Sequence, residues 1–233
     1  MKHGVIILAV TLFTVLTGYG TELTRYELDI NDFSELKVVE GINVDYECNA
    51  DSAGKAVFYT SSDLASVLMF SNNKNKLEMQ IATDGISYHD LPTVKVYSNF
   101  LTKIENSGDS MVRVLSVASG PKFKANLIGN GRIVVRNIKA TQVDASINSG
   151  NGTIVVSGTC TTAKLSSVGT GSIEADGLDA TDVKCILLGT GSIGCSVKQN
   201  LKVIGTGSGT VFYRGTPEKT INRSLGVKIV PLD

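Results

Sequence analysis

Glu174, Asp176, Asp179 and Asp182 bring four carboxylates into a stretch of nine residues, and paired carboxylates are what a polysaccharide hydrolase or lyase needs. A glycosidase pair must be held about 5–9.5 Å apart across a cleft. Asp176, Asp179 and Asp182, spaced three apart, spread along a corner instead of converging, and Glu174, Asp176 and Asp179 have no acidic counterparts about 20 residues before or after. Tyr88-His89-Asp90 is the one segment that sets an imidazole beside an acid and a phenol. It precedes Pro92 in a loop-like stretch, and no serine or cysteine can be assigned as its nucleophile. The residue types therefore point to no catalytic residue, and β-helix carbohydrate chemistry stands only as the alternative reading.

Cys48, Cys160, Cys185 and Cys195 are too irregularly spaced for a Cys-x-x-Cys metal site, and the sequence leaves open whether any of them pair. With so few histidines no metal or cofactor site is expected. Asp51-Ser52-Ala53 and Asp109-Ser110-Met111 have the Asp-Ser-apolar form of O-glycosylation acceptors in some exported bacterial proteins. Asn151-Gly152-Thr153 and Asn222-Arg223-Ser224 fit the N-glycosylation sequon.

A glycine phrase recurs through the C-terminal half: Gly129-Asn130-Gly131, Gly150-Asn151-Gly152, Gly169-Thr170-Gly171, Gly189-Thr190-Gly191 and Gly205-Thr206-Gly207, with Asn106-Ser107-Gly108 as a degenerate forerunner. Units cut at the first glycine begin at 108, 129, 150, 169, 189 and 205. The phrases run straight into strands and lack a Walker-type Lys-Ser/Thr, which argues against phosphate binding. The residues after them, Arg132, Thr153, Ser172, Ser192 and Ser208, do not supply the periodic Asp of calcium-binding repeats.

A repeat near 20 residues cannot bury its own apolar face and must be one rung of a stack. After each phrase an alternating strand follows, with Ile133, Ile154, Ile173 and Ile193 in equivalent places, so these four should form one column. Each unit then supplies a polar break and a second strand, such as the one carrying Val183, Cys185 and Leu187. The fold expected is an all-β, right-handed parallel β-solenoid of Gly-x-Gly repeats, the hand taken from the general crossover preference. A string of antiparallel hairpins is the competing architecture.

Residues 104–226 hold 18 of the 24 glycines, whereas 21–103 is glycine-poor and aromatic. That first region reads as β-sheet, with strands at Leu36–Val39, Ile42–Glu47, Lys55–Thr60, Lys76–Ile81 and Thr93–Tyr97, a helix at Ser62–Phe70 and a turn at Asn72–Asn75. It is expected to cap one end of a solenoid spanning 104–233, the whole forming one domain from about 33 to 228. Tyr213-Arg214-Gly215-Thr216-Pro217 and the tail would close the other end.

Lys2, His3, the apolar run Gly4 to Thr17 and Gly18-Tyr19-Gly20 read as a secretory signal over residues 1–20, cleaved before Thr21. The apolar run is shorter than the roughly 20 residues of a membrane span, so no transmembrane segment is expected after cleavage. The chain carries 22 Lys+Arg and 22 Asp+Glu, and loss of Lys2 with the leader leaves a net charge near −1. Basic residues look scattered along the sequence, which argues against a nucleic-acid partner.

These residues resemble a bacterial family described as the putative autotransporter-adhesin head domain with GIN-type motifs. The likeness covers roughly 33–228 and is carried by Phe33-Ser34-Glu35-Leu36-Lys37-Val38, Glu40-Gly41-Ile42-Asn43-Val44-Asp45-Tyr46, the serial glycine phrases and Tyr213-Arg214-Gly215-Thr216-Pro217. The terminal rungs depart from the pattern, because the first phrase lacks a glycine and the last expected one is Ser224-Leu225-Gly226. The resemblance implies export to the periplasm, outer-membrane surface or medium, a solenoid-like fold and an adhesive role. It transfers no catalytic residue. The partner implied is a protein or glycan of the envelope or host surface, and a structural envelope component or homo-oligomer is a further alternative.

Overall fold

The computed structural model describes residues 23–82 and 90–232, so the leader, Tyr88 and His89 lie outside the described residues. The chain forms β1 (Thr24–Asp29), β2 (Glu35–Val39), β3 (Val44–Cys48), β4 (Lys55–Thr60), α1 (Ser62–Val67), β5 (Leu68–Asn73), β6 (Lys76–Ile81), β7 (Val94–Ser98), β8 (Lys103–Ser107) and β9 (Met111–Ser116). It continues through β10 (Gly120–Ile128), β11 (Arg132–Ser149), β12 (Thr153–Gly169), β13 (Ser172–Gly189), β14 (Ser192–Thr206), β15 (Thr210–Arg214), β16 (Lys219–Leu225) and β17 (Lys228–Pro231).

From β8 onward every pairing is parallel, so the repeats are a solenoid and the hairpin alternative falls. Ile133, Ile154, Ile173 and Ile193 stand in direct register, as their spacing predicts. The column runs further, through Val112, Val44 and Val94 at one end and Val211 and Ile229 at the other. Seven of its nine members are fully buried and Val44 is nearly so. Each is worth roughly 1.5–3 kcal/mol on burial, which makes the column the spine of the fold.

A rung is more folded than two strands. In β13 the inward residues come in three groups, Ile173 and Ala175, then Leu178 and Ala180, then Val183, Cys185 and Leu187. The period-two alternation skips a beat at each bend between groups, so the polar break is itself a short inward-facing side.

The glycines divide two tasks between them. Gly150, first of its phrase, has φ +90°, a conformation cheap only without a Cβ. Gly171, second of its phrase, has no left-handed φ, and it is glycine because a Cβ would lie 2.7 Å from the Gly152 carbonyl oxygen of the rung below. The last phrase is not Gly205-Thr206-Gly207. Gly205 pairs with Leu187, and Gly207 and Gly209 are the residues seated against Gly189 and Gly191. The shift removes the short final unit that the sequence suggested.

The N-terminal half contributes both rungs and cap. Strand β2 lies between β6 and β8, and β3 between β7 and β9, all parallel. The first rung in sequence is thus inserted between the second and third. Outside it, β5 runs antiparallel to β6, β4 antiparallel to β7, and β1 antiparallel to β4. Tyr26, Phe58 and Phe70 stack there, with ring centroids 5.3 and 6.1 Å apart. The expected helix is real but stops at Val67, because Leu68–Phe70 join β5; Asn72 and Asn73 are strand too, and only Lys74 and Asn75 turn, both with positive φ.

Candidate functional site

The acids that could have made a glycan-cleaving pair are each engaged separately. Glu174 lies 3.7 Å from Arg132, and Asp176 lies 3.8 Å from Arg214. Asp179 accepts from the Ser196 hydroxyl at 3.4 Å, and Asp182 accepts from the Asn200 amide. Asp176, Asp179 and Asp182 are spread along one rung, each with its own partner, whereas Glu174 and Asp176 flank the same buried residue, Ala175. Asp90, the described member of the Tyr88-His89-Asp90 segment, has φ +59°.

All four cysteines are thiols. Cys185 and Cys195 lie in the core, where hydrogen bonding to Cys195 and burial push the Cys185 thiol well up. Burial lifts half-buried Cys160 to about 11. The Cys48 thiol donates to the Asn99 carbonyl at 3.2 Å. Neither Cys160 nor Cys185 is poised as a thiolate nucleophile. Of the two O-glycosylation matches, Ser110 is 5% exposed and donates to Asn106 Oδ1, whose amide in turn donates to the Ser110 carbonyl; Ser52 lies in a turn at the protein surface. Asn151 and Asn222 are both exposed. Among the described residues no group of His, Cys, Asp and Glu could hold a metal ion.

Two of the solenoid's three outward sides carry features that a partner could meet. On the surface formed by the strands after each glycine phrase, a shallow groove of about 450 Å³ is lined by Met111, Arg113, Leu115, Arg132, Val134 and Arg136. Arg113 makes a two-pronged contact with Asp45 at 2.6 and 2.8 Å, which raises the guanidinium pKa further, so that arginine is committed to the fold.

The other surface, formed by the strands before each phrase, holds what the linear sequence hid. Lys103, Lys124, Asp144, Lys164, Lys184 and Lys202 occupy one position on consecutive rungs. Basic residues that look scattered in sequence are neighbours at roughly the 4.8 Å strand spacing. Lys103 bonds Glu105 at 3.3 Å and Asp144 bonds Lys122 at 2.9 Å, whereas Lys124, Lys164, Lys184 and Lys202 have no carboxylate within 4 Å among the described residues. Two residues further along each strand lie Ser166, Ile186 and Ile204, and beyond them Val168, Leu188 and Thr206, in register. Val168 is 38% and Leu188 43% exposed, and Leu225, above Thr206, is 76% exposed. Laying the units over one another in register, not reading charge along the chain, is the signal that would have found this column.

The two ends of the stack also differ. At the C-terminal end Thr220, Asn222 and Ser224 occupy the places held by Leu201, Val203 and Gly205 one rung earlier. The inward column turns polar where there is no next rung to bury it, and Lys219, Arg223, Lys228 and Pro231 populate the edge.

The fold is similar to that of a putative adhesin from Bacteroides fragilis, with a TM-score of 0.83 and 20% identity over 91% of this chain and 97% of that one. It is also similar to a putative adhesin from Parabacteroides distasonis, with a TM-score of 0.74, 20% identity and the same coverages. A putative lipid binding protein from Parabacteroides distasonis matches with a TM-score of 0.70, again at 20% identity over 91% of this chain and 97% of that one. At such identity the likeness speaks to fold. Among curated proteins no relative matches the sequence. The family model of the putative auto-transporter adhesin, head GIN domain, matches residues 32–217, a span that runs from β2 through β15, and the chain belongs to that family.

Proposed function

We propose that the protein is an exported, non-enzymatic interaction module of the cell envelope, adhesive in the broad sense of presenting a regular surface to a protein, glycan or lipid partner. The observation that carries this reading is the register of the outward side chains. The ladder repeats the same exposed positions every rung, an arrangement suited to broad or multivalent contact. Membership of an adhesin-head family and the sequence signature of a leader support export. The acids that a β-helix glycan enzyme would gather are bound instead to Arg132, Arg214, Ser196 and Asn200.

Binding of the chain from Thr21 onward to cells, isolated envelopes and a glycan array tests the proposal. Saturable binding to one of these supports it. No binding to any of them, or product release from a polysaccharide panel that Asp176→Asn abolishes, would overturn it.

A further inference from the structure

We propose that the surface bearing Lys164, Lys184 and Lys202 docks flat on an anionic lipid bilayer. The proposal rests on the interaction-module reading and names the partner of one face. Three lysines without carboxylate partners among the described residues stand directly over one another on β12, β13 and β14. Exposed Arg223 extends the positive charge onto the last rung, in register with Ile204. Of the acids nearest to this strip, Asp144 is neutralised by Lys122, whereas Asp182 accepts from the neutral Asn200 amide and keeps its charge, one carboxylate against Lys164, Lys184, Lys202 and Arg223. The strip is therefore net cationic.

Beside the lysines lie two parallel lines of aliphatic side chains. Ile186 and Ile204 form the first, and Val168, Leu188 and Leu225 belong to the second. Lysine and outer aliphatic are four residues apart on one strand face, about 13 Å, so the strip is wider than a single extended polymer. Well-exposed leucines arranged in register stay in contact with water unless a partner covers them. An acidic polysaccharide would satisfy the lysines but offer little apolar surface to the aliphatic lines. A bilayer interface satisfies both, with phosphate headgroups meeting the ammonium groups and the acyl boundary taking the side chains.

The test is co-sedimentation of the chain from Thr21 onward with phosphatidylcholine vesicles, with and without phosphatidylglycerol. Binding is expected only with phosphatidylglycerol and should weaken as salt rises. Lys164→Glu/Lys184→Glu/Lys202→Glu should lower it by about 100-fold or more, and Leu188→Ser/Leu225→Ser by about tenfold. Because all five positions face outward, melting of both variants should stay close to the parent, which separates lost docking from lost fold. Vesicle binding that is absent, or unchanged in the lysine variant, overturns the proposal. So does binding to polygalacturonate that needs the lysines but not the leucines, which would make the partner an acidic polymer. If cells or glycans are bound equally by parent and lysine variant while vesicles are not, the lipid surface is refuted and the interaction-module reading survives. If nothing is bound, both fail.

Discussion

The N-terminal end of the stack is closed by added chain, and the C-terminal end by changed side chains. Strands β4 and β5 turn antiparallel to cover the outer edge of the rung formed by β6 and β7, and Tyr26, Phe58 and Phe70 stack there. Among the described residues nothing covers the rung formed by β16 and β17 in this way. Its inward positions on β16 are Thr220, Asn222 and Ser224, with Ile229 of β17 left partly exposed, and its edge carries Lys and Pro. A stack of parallel strands exposes unpaired backbone at both ends, and each remedy removes a different hazard. The cap buries the edge and adds stability, whereas the polar rung leaves the edge open but gives an incoming apolar strand nothing to pack on.

A change that both ends should feel comes first in size. Ile173→Asp puts an unpaired charge at a fully buried place in the shared column and should unfold the whole domain rather than one end, a loss above about 4 kcal/mol. Chemical denaturation followed at both circular dichroism and tyrosine fluorescence checks it. Separate transitions would show that the ends fold independently.

The ends themselves are compared by truncating one apolar residue at each. Phe58→Ala at the cap should cost about 3–5 kcal/mol, and Ile229→Ala in the partly exposed last rung about 1–2 kcal/mol. Equal costs would mean that the polar rung is as tightly packed as the cap.

Between the ends, Gly150→Ala should cost more than about 2 kcal/mol, because φ is +90° and the added methyl meets the Gly129 carbonyl below. Gly41→Ala has nothing within 4 Å and should change the melting temperature little.

Thr220→Val/Asn222→Val/Ser224→Val makes the last rung resemble an interior one. Stability should shift by less than about 1 kcal/mol, but sedimentation should reveal concentration-dependent association absent from the parent.

The smallest effect belongs to the cap's ion pair. Lys55 and Arg25, at 2.7 and 2.6 Å, hold the Glu27 carboxyl below its ordinary value, chiefly through hydrogen bonding. A lowered folded pKa contributes stability that is present above the unfolded value of about 4.3 and is lost as pH falls through the folded one. Glu27→Gln should therefore cost less than about 1 kcal/mol at neutral pH and progressively less in acid, as thermal melts at pH 7 and pH 3 would show.

What could be read in advance depended on spacing. Lys55–Thr60 and Lys76–Ile81 match β4 and β6 because both are short, alternating and bounded by turn residues. Ser62–Phe70 reads as one helix because Leu64, Val67 and Leu68 satisfy a helical period, whereas Leu68–Phe70 are taken by the hairpin pairing with β6 and Phe70 stacks on Phe58. Gly205-Thr206-Gly207 imitates the repeat phrase in composition, yet the register of β14 against β13 seats Gly207-Ser208-Gly209 in the turn. Gly169 and Gly171 look alike within one phrase, yet Gly169 has φ +113° and Gly171 is glycine through close approach to the Gly152 carbonyl, a division that composition does not reveal. For the site, the fanning of Asp176, Asp179 and Asp182 was legible in their three-residue spacing, and the lysine column was not.

By itself the amino-acid sequence determined the local unit: a glycine turn, an alternating strand and an apolar position that recurs at the same place in every rung. Period and residue type are local properties, so they survive without knowledge of the fold. Only the tertiary structure decided which rung lies beside which. It inserted β2 and β3 between later strands, gave the two ends unlike closures, and drew Lys164, Lys184 and Lys202 from 20 and 18 residues apart into adjacent rungs. The physical reason is that units of unequal length are aligned by hydrogen-bond register across the stack and not by count along the chain.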